Sequence, residues 1–573
     1  MNAAIPFRRS ILPALPALAF LALFFVVPVG EILQGGLIGP DGHLGLAQFA
    51  RIGRTPVYAK VLWITFWISC LSAVLSVVLG YPVAYFLSRL PPRARERWLL
   101  WVVLPFWTSY LVKTYAWMLI LSKTGVLSTI ALALGLVQQT SGTAPSLAGV
   151  LIGMVHAMLP LAVMTMLPVM RGIDDRLGQA AETLGADRVT GFFTVFLPLS
   201  APGAAAAGLL VFITTLGFFI VPSLLGSPRE TMIAQLVISS VLDLFDMRFA
   251  GALSTVLLVC AIAIFLVYDR LVGLSSLAGE VSYARRGGAR RSVSQPVLVA
   301  LGRLWAPLAP QHGTGSRKRF GPLSLYTVLA LAVLVAPVLV VIPLAFTRGD
   351  YITFPPHLFS LRWFSTFLES DVWRSALVRS FEVGLATALL SLALGFGATM
   401  ALNHLSRRMS KSLFAFLVAP LIVPRIVVAV GLLYLFARFG LTGTNLGLVI
   451  GHTVLAIPYV VVTLAAGFKQ FDWRLDDAAR VMGASPLKRL TTIWLPLLAA
   501  SVTAAFLFAF MVSFDDLTIA IFVSGGINTT LPKQMWDSIQ LALTPTLAAV
   551  STTLVALIAL IVLGASSIRR RAG

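Results

Sequence analysis

The run FMVSFDDLTIAIFVSG, residues 510–525, sets two adjacent carboxylates, Asp515 and Asp516, among apolar side chains. An ionised carboxylate in hydrocarbon is costly unless it faces a polar cavity or a partner. One chemistry fits directly: at least one of the pair lines a pathway and attracts a cation passing along it. The other reading is structural, with the carboxylates capping a broken helix or bonding Ser513, Thr518 or Lys113. Lys113 and Arg425 are cations in equally apolar surroundings. Lys113 is expected to pair with an aspartate or to extend its ammonium towards an interface. Arg425 follows Pro424, where a helix is expected to break. His156 and His452 read as packing or hydrogen-bonding residues. Cys70 and Cys260 lie in separate apolar runs and support neither a disulfide framework nor a metal site.

A second polar pattern occurs twice, as QAAETLGADRVTGFFTVFLP over residues 179–198 and DAARVMGASPLKRLTTIWLP over 477–496. Read as a helix, Gln179, Ala180 and Ala181 offer small residues that let another surface approach closely. Gly185 stands where glycine ends a helix in the left-handed conformation. Asp477, Ala478, Ala479 and Gly483 repeat the arrangement. Leu197-Pro198 and Leu495-Pro496 then mark the return to apolar sequence.

The elements that carry these groups must be membrane helices. The chain is 58% hydrophobic and 11% charged, with a mean hydropathy of +0.92. About 20 apolar residues cross the hydrocarbon as a helix, and the runs are too continuous for the alternating strands of a barrel. Twelve spans are expected, near 11–32, 61–88, 99–121, 147–170, 197–222, 249–269, 323–346, 378–402, 412–437, 445–467, 495–522 and 546–568. The first run is too long for a signal peptide and reads as a retained span. The net charge of +21 does not signal nucleic acid. With both termini in the cytoplasm, most Lys and Arg fall on the cytoplasmic side, as the positive-inside rule requires.

The spans form two parallel sets of six. Asp174, Arg176, Gly185 and Pro198 recur 298 residues later as Asp472, Arg474, Gly483 and Pro496. Upstream the offset is 315, with Pro105 and Gly125 matching Pro420 and Gly440, so the first set holds a 17-residue insertion between its third and fourth spans. Such a parallel repeat is a transporter architecture. The division is 1–271 for the first half with its polar loop at about 171–198, 272–322 for a basic cytoplasmic linker, and 323–573 for the second half with its loop at about 469–496.

The paired Ala-Ala, Gly and Leu-Pro pattern resembles the permease subunits of bacterial ABC importers. That resemblance implies an all-α membrane protein of the type I importer permease fold, with twelve transmembrane helices in two parallel six-helix repeats. It also implies that each polar loop is a coupling helix docking on an ATPase subunit: Gln179, Ala180, Ala181 and Gly185 in one copy, Asp477, Ala478, Ala479 and Gly483 in the other. Both copies depart from the family pattern at its first position, Gln179 and Asp477 standing in place of Glu. The chain lacks the G-x-x-x-x-G-K-[ST] loop that cradles nucleotide phosphates. It is therefore expected to be a transport subunit rather than an enzyme, binding no cofactor or metal, with ATP used by a partner. The implied partners are two copies of an ABC ATPase, a periplasmic solute-binding protein and the lipid bilayer of the bacterial inner membrane.

Residues 105–121 and 217–237 resemble the first permease of spermidine/putrescine-type importers, and 510–553 the second. The resemblance makes the chain a fused permease moving a small cationic solute, a polyamine or a related compound, with Asp515 and Asp516 as candidate pathway residues. Thiamine, ferric iron, opine or aminoethylphosphonate import stands as an alternative within the superfamily. A major-facilitator-like secondary transporter is the more remote alternative.

Overall fold

A computed structural model describes residues 11–39, 42–135, 142–271, 321–351, 354–356, 358–526, 528–541 and 544–572. The expected linker, 272–322, lies outside them but for its last two residues. Among the described residues the regular structure is helical, with extended pairing limited to isolated bridges such as Ile38 with Leu44. Nine helices among the described residues are long and apolar enough to cross a membrane, and up to eleven spans result there if each of two bent pairs is taken as one. The last expected span, 546–568, falls on the helix Pro545–Ala572.

Both third spans are broken, as expected at Pro424 but against expectation in the first half. Instead of one helix over 99–121, the chain forms Pro92–Trp107, breaks at Thr108 and Ser109, and resumes as Tyr110–Leu121. Over 412–437 it forms Arg407–Leu421 and Arg425–Phe439, bent by 88°. The physical cause is local. Pro424 has no amide hydrogen to give a helix and fixes its own φ, while the Ser109 hydroxyl accepts the Leu111 amide at 3.2 Å and starts a new helix. The fifth span of the second half is also bent, by 82°, between Pro486–Leu497 and Ala499–Phe514, whereas Val189–Leu216 runs on in the first half.

Most elements recur in register. Pro56–Arg89 corresponds to Asp371–His404 at the 315-residue offset, and Asp175–Thr183 to Trp473–Val481 and Ile220–Leu225 to Thr518–Val523 at the 298-residue offset. The insertion carries a helix of its own, Val126–Ala133. Where register changes, matched caps restart the fourth spans: the Ser146 hydroxyl accepts the Gly149 amide at 3.1 Å, and the Thr444 hydroxyl the Gly447 amide at 3.0 Å.

The first helix of each half crosses to the other. Leu12–Gly36 lies against Asp371–His404 and Arg425–Phe439, while Pro322–Ala345 lies against Pro56–Arg89 and Tyr110–Leu121. The crossings are close and specific. A Cβ at Gly431 would lie 2.7 Å from the Pro28 carbonyl oxygen. In return, the Tyr326 hydroxyl donates to the Leu79 carbonyl at 2.8 Å, and His156 Nε2 bonds the Leu334 carbonyl at 2.9 Å. Without a hydrophobic drive between helices in lipid, such close packing and interhelical hydrogen bonds carry association. They bring the broken third spans and the ends of the fifth spans together at the centre.

Candidate functional site

At the centre, Ala499–Phe514 stops at Asp515, and Thr518–Val523 begins three residues on. The two aspartates diverge there. Asp516 is 1% exposed, and its Oδ2 accepts the Ile519 amide at 2.8 Å. It therefore caps the short helix, as one of the structural readings anticipated. The same oxygen lies 3.6 Å from His452 Nε2, and His452 Nδ1 bonds the Ser513 hydroxyl at 2.7 Å. Ser513 in turn reaches Thr387 at 3.4 Å. This chain of buried polar groups ties the second, fourth and fifth spans of the second half.

Asp515 is only half-buried and points across the seam between the halves. It sits beside Ser109 and the Tyr110 backbone, with Lys113 and Arg425 in electrostatic reach, and its Oδ1 has no hydrogen-bond partner although buried. Lys113 does not extend to an interface. It is 2% exposed, donates to the Pro105 carbonyl at 3.1 Å, and lies 4.3 Å from the centre of the Tyr110 ring. That carbonyl is freed because the helix breaks after Trp107. Arg425 donates to the Tyr459 hydroxyl at 3.4 Å and has Asp516 and Tyr110 as further electrostatic neighbours. Tyr110 and Arg425 occupy equivalent positions, each the first residue after its break. Two carboxylates, two cations and Tyr110 thus meet at the breaks of three interrupted helices, with Tyr459 reaching them from the continuous helix Asn445–Phe468. His156 stacks edge-on against Trp117 at 5.5 Å and keeps the packing role expected of it. Among the described residues, no group of His, Cys, Asp and Glu is arranged to hold a metal ion.

The two polar loops form a second candidate surface. Asp174 accepts the Arg176 amide at 2.9 Å and starts the helix Asp175–Thr183; Asp472 accepts the Arg474 amide at 3.0 Å and starts Trp473–Val481. Gly185 and Gly483 end them with φ of +86° and +78°, conformations that a side chain would strain. The closing bonds match as well: the Ala186 amide to the Ala181 carbonyl at 3.0 Å, and the Ala484 amide to the Ala479 carbonyl at 2.9 Å. Gln179, Ala180 and Gly185 are exposed and Ala181 half-buried; Asp477, Ala478, Gly483 and Ala479 repeat that pattern. Beside each glycine stands an apolar side chain left in the open, Leu184 at 87% and Met482 at 86% exposed. Sequence reading passed over these two. Their apolar character is ordinary for this chain, and only the helix termination turns them outward.

Residues 393–571 match the family described as "Binding-protein-dependent transport system inner membrane component". The chain is 33% identical over 258 residues to the spermidine/putrescine transport system permease protein PotB of Haemophilus influenzae, covering 44% of this chain and 90% of that one. It is 29% identical over 240 residues to the putrescine transport system permease protein PotI of Escherichia coli K12, covering 41% of this chain and 85% of that one. Among solved structures, a bacterial ABC transporter involved in the import of the polysaccharide alginate aligns with 20% identity and a TM-score of 0.40, over 46% of this chain and 96% of that one. With nine-tenths of the Haemophilus permease spanned at that identity, and the apolar helices to match, this chain belongs to the binding-protein-dependent permeases, the multi-pass inner-membrane components of ABC importers.

Proposed function

We propose that the chain supplies both permease halves of an ATP-driven importer for a small organic polycation of the polyamine class. The division into halves at 1–271 and 323–573, joined by the 272–322 linker, gives the cell a fused permease with both termini in the cytoplasm. The observation that carries this reading is the pair of exposed helices of one geometry, each displaying a small-residue face, a left-handed glycine and an open apolar side chain. A pair of ATPase subunits needs two such docking helices, and the relatives named for spermidine and putrescine transport give the solute class.

In this scheme a periplasmic binding protein releases solute at the outer face. ATP binding closes the ATPase pair, the docked helices move, and the fifth spans to which they connect shift the central groups. Closure of one side then accompanies opening of the other. Asp515 is the group that meets the solute. A passing ammonium competes with Lys113 and Arg425 for its carboxylate, a contact that is exchanged rather than permanently held. Asp516, occupied by its cap and by His452, supports that arm from behind.

The test is reconstitution of the chain in liposomes with its partner ATPase and binding protein. ATP should drive accumulation of labelled putrescine or spermidine without an ion gradient. Accumulation that needs an ion gradient and ignores ATP would overturn the proposal.

A further inference from the structure

The two docking helices match in backbone but not in their bracing. In the second half, Asp476 is 3% exposed and is the one buried residue of the helix Trp473–Val481. Arg489 Nη1 donates to both of its oxygens at 2.9 and 2.8 Å, and Trp494 Nε1 donates at 2.9 Å. The Arg489 guanidinium also lies 5.4 Å from the Trp494 ring centre. Asp476 belongs to the docking helix, and Arg489 and Trp494 to the segment that leads into the fifth span, so the clasp bridges the turn between them. Trp473, at the start of the same helix, stacks on Phe468 at 5.7 Å and meets His404 at 4.8 Å. A charge-assisted contact out of water, here one guanidinium nitrogen shared between both carboxylate oxygens, is among the stronger side-chain links.

In the first half the three clasp positions hold Gly178, Gly191 and Phe196. Two have no side chain and the third no donor. No residue of the helix Asp175–Thr183 is buried. It is tied to the second span by the ion pair of Asp175 with Arg89, at 75% and 40% exposure. Arg89 also covers the Phe196 ring at 4.8 Å. Exposed pairs of this kind contribute little. The first helix therefore leans on the end of the second span through a water-exposed contact, while the second is clamped to the root of the fifth.

We propose that Asp476 is a positioning residue that makes the second docking helix the tighter of two unequal linkages between the ATPases and the membrane. The clamped linkage leads into the span that ends at Asp515; the loose one leads into the span that ends at Gly217. ATPase movement is thus delivered with little slack to the root of the fifth span, Pro486–Leu497, which joins the arm carrying the carboxylate through the 82° bend. This rests on the coupling role proposed above.

The experiment uses the complete transporter, with both ATPase subunits and the binding protein, in liposomes. Assembly, ATP turnover and labelled putrescine uptake are measured together. Asp476→Asn should keep the ATPase bound but lower putrescine moved per ATP about tenfold, the scale expected for losing a charged hydrogen bond. Trp494→Phe, which installs the residue found at the first-half position and keeps the packing, should lower it about twofold to threefold through one lost neutral donor. Asp476→Glu should recover part of the loss. Arg89→Gln, on the loose side, should change the ratio less than twofold. Equal loss on the two sides, or a normal ratio in Trp494→Phe and Asp476→Asn, would overturn the asymmetry. If Asp476→Asn fails to assemble, Trp494→Phe decides alone. Failure of the wild type to bind the ATPase would instead defeat the coupling role itself.

Discussion

Gly217 and Asp515 end equivalent helices, one in each half, and each meets the residue before the other half's resumed third span. A Cβ at Gly217 would lie 3.0 Å from the Pro424 side chain. Asp515 lies beside Ser109, the register partner of Pro424. The seam therefore has two equivalent contacts of opposite character. One is a dry glycine–proline abutment beside Arg425; the other is a carboxylate beside a hydroxyl and an ammonium. The asymmetry leaves a single carboxylate facing the seam, and it makes the two aspartates separable by experiment.

Asp515→Asn should lower uptake of labelled putrescine about tenfold, the scale of one charge-assisted contact, with normal yield and thermal stability in detergent. Asp516→Asn should do the reverse in kind. It weakens a helix cap and the link to His452, and should destabilise by about 1 kcal/mol, read as a lower unfolding midpoint. Equal effects of the two changes on uptake and on midpoint would refute this assignment.

Leu184→Glu and Met482→Glu place charge on two side chains that touch little within the chain. Folding should be unchanged by circular dichroism. Co-purification of the ATPase should drop severalfold for either change and be lost for both, because open apolar groups of this kind mark contact surfaces.

Gly185→Ala and Gly483→Ala test backbone shape alone. Nothing lies within 4 Å of a Cβ built at either glycine, so crowding plays no part. The left-handed conformation should cost about 1–2 kcal/mol, seen as weaker ATPase binding. Asparagine at either site should cost less, since it tolerates that conformation. Alanine variants that bind as wild type would show that the glycine turn is dispensable.

Asp187 gives a pH expectation. The Thr190 hydroxyl and amide, the amide bond being 2.8 Å, hold its carboxyl below the ordinary carboxylate value. A group depressed on folding stabilises above its unfolded pKa and loses that effect as pH falls through the folded one. Coupling should thus be flat with respect to this cap from neutral pH down to the ordinary aspartate range. Ser485 holds the equivalent position and accepts the Lys488 amide at 3.3 Å. Asp187→Ser should therefore preserve ATPase-coupled uptake, and Asp187→Ala should reduce it.

Much of this was legible in the sequence. Helical membrane character followed from apolar runs, and the recurrence of Gly185 at Gly483 was visible as spacing. Left-handed φ at both glycines was implied by their place after a small-residue helix. The breaks at Thr108–Ser109 and Pro424 were less legible, because helices interrupted in mid-membrane keep the same apolar composition as continuous ones. Pro424 was a clue to its break, but Ser109 acts only through a cap. The clasp of Asp476 with Arg489 and Trp494 was hidden for another reason. Its members are separated by a turn whose path no periodicity reveals, and their first-half counterparts carry different chemistry. The distinction between Asp515 and Asp516 depended on where a helix stops, to a single residue.

The exchange of first helices between the halves has a consequence for synthesis. While the ribosome is still making the second half, Pro56–Arg89 and Tyr110–Leu121 lack the helix Pro322–Ala345 that packs on them, and Leu12–Gly36 has no Arg425–Phe439 to rest against. Each half leaves the translocon with a groove shaped for a segment it does not own. Maturation is therefore a mutual event, complete only when both halves are in the bilayer, and joining them in one polypeptide guarantees that the two arrive in equal number.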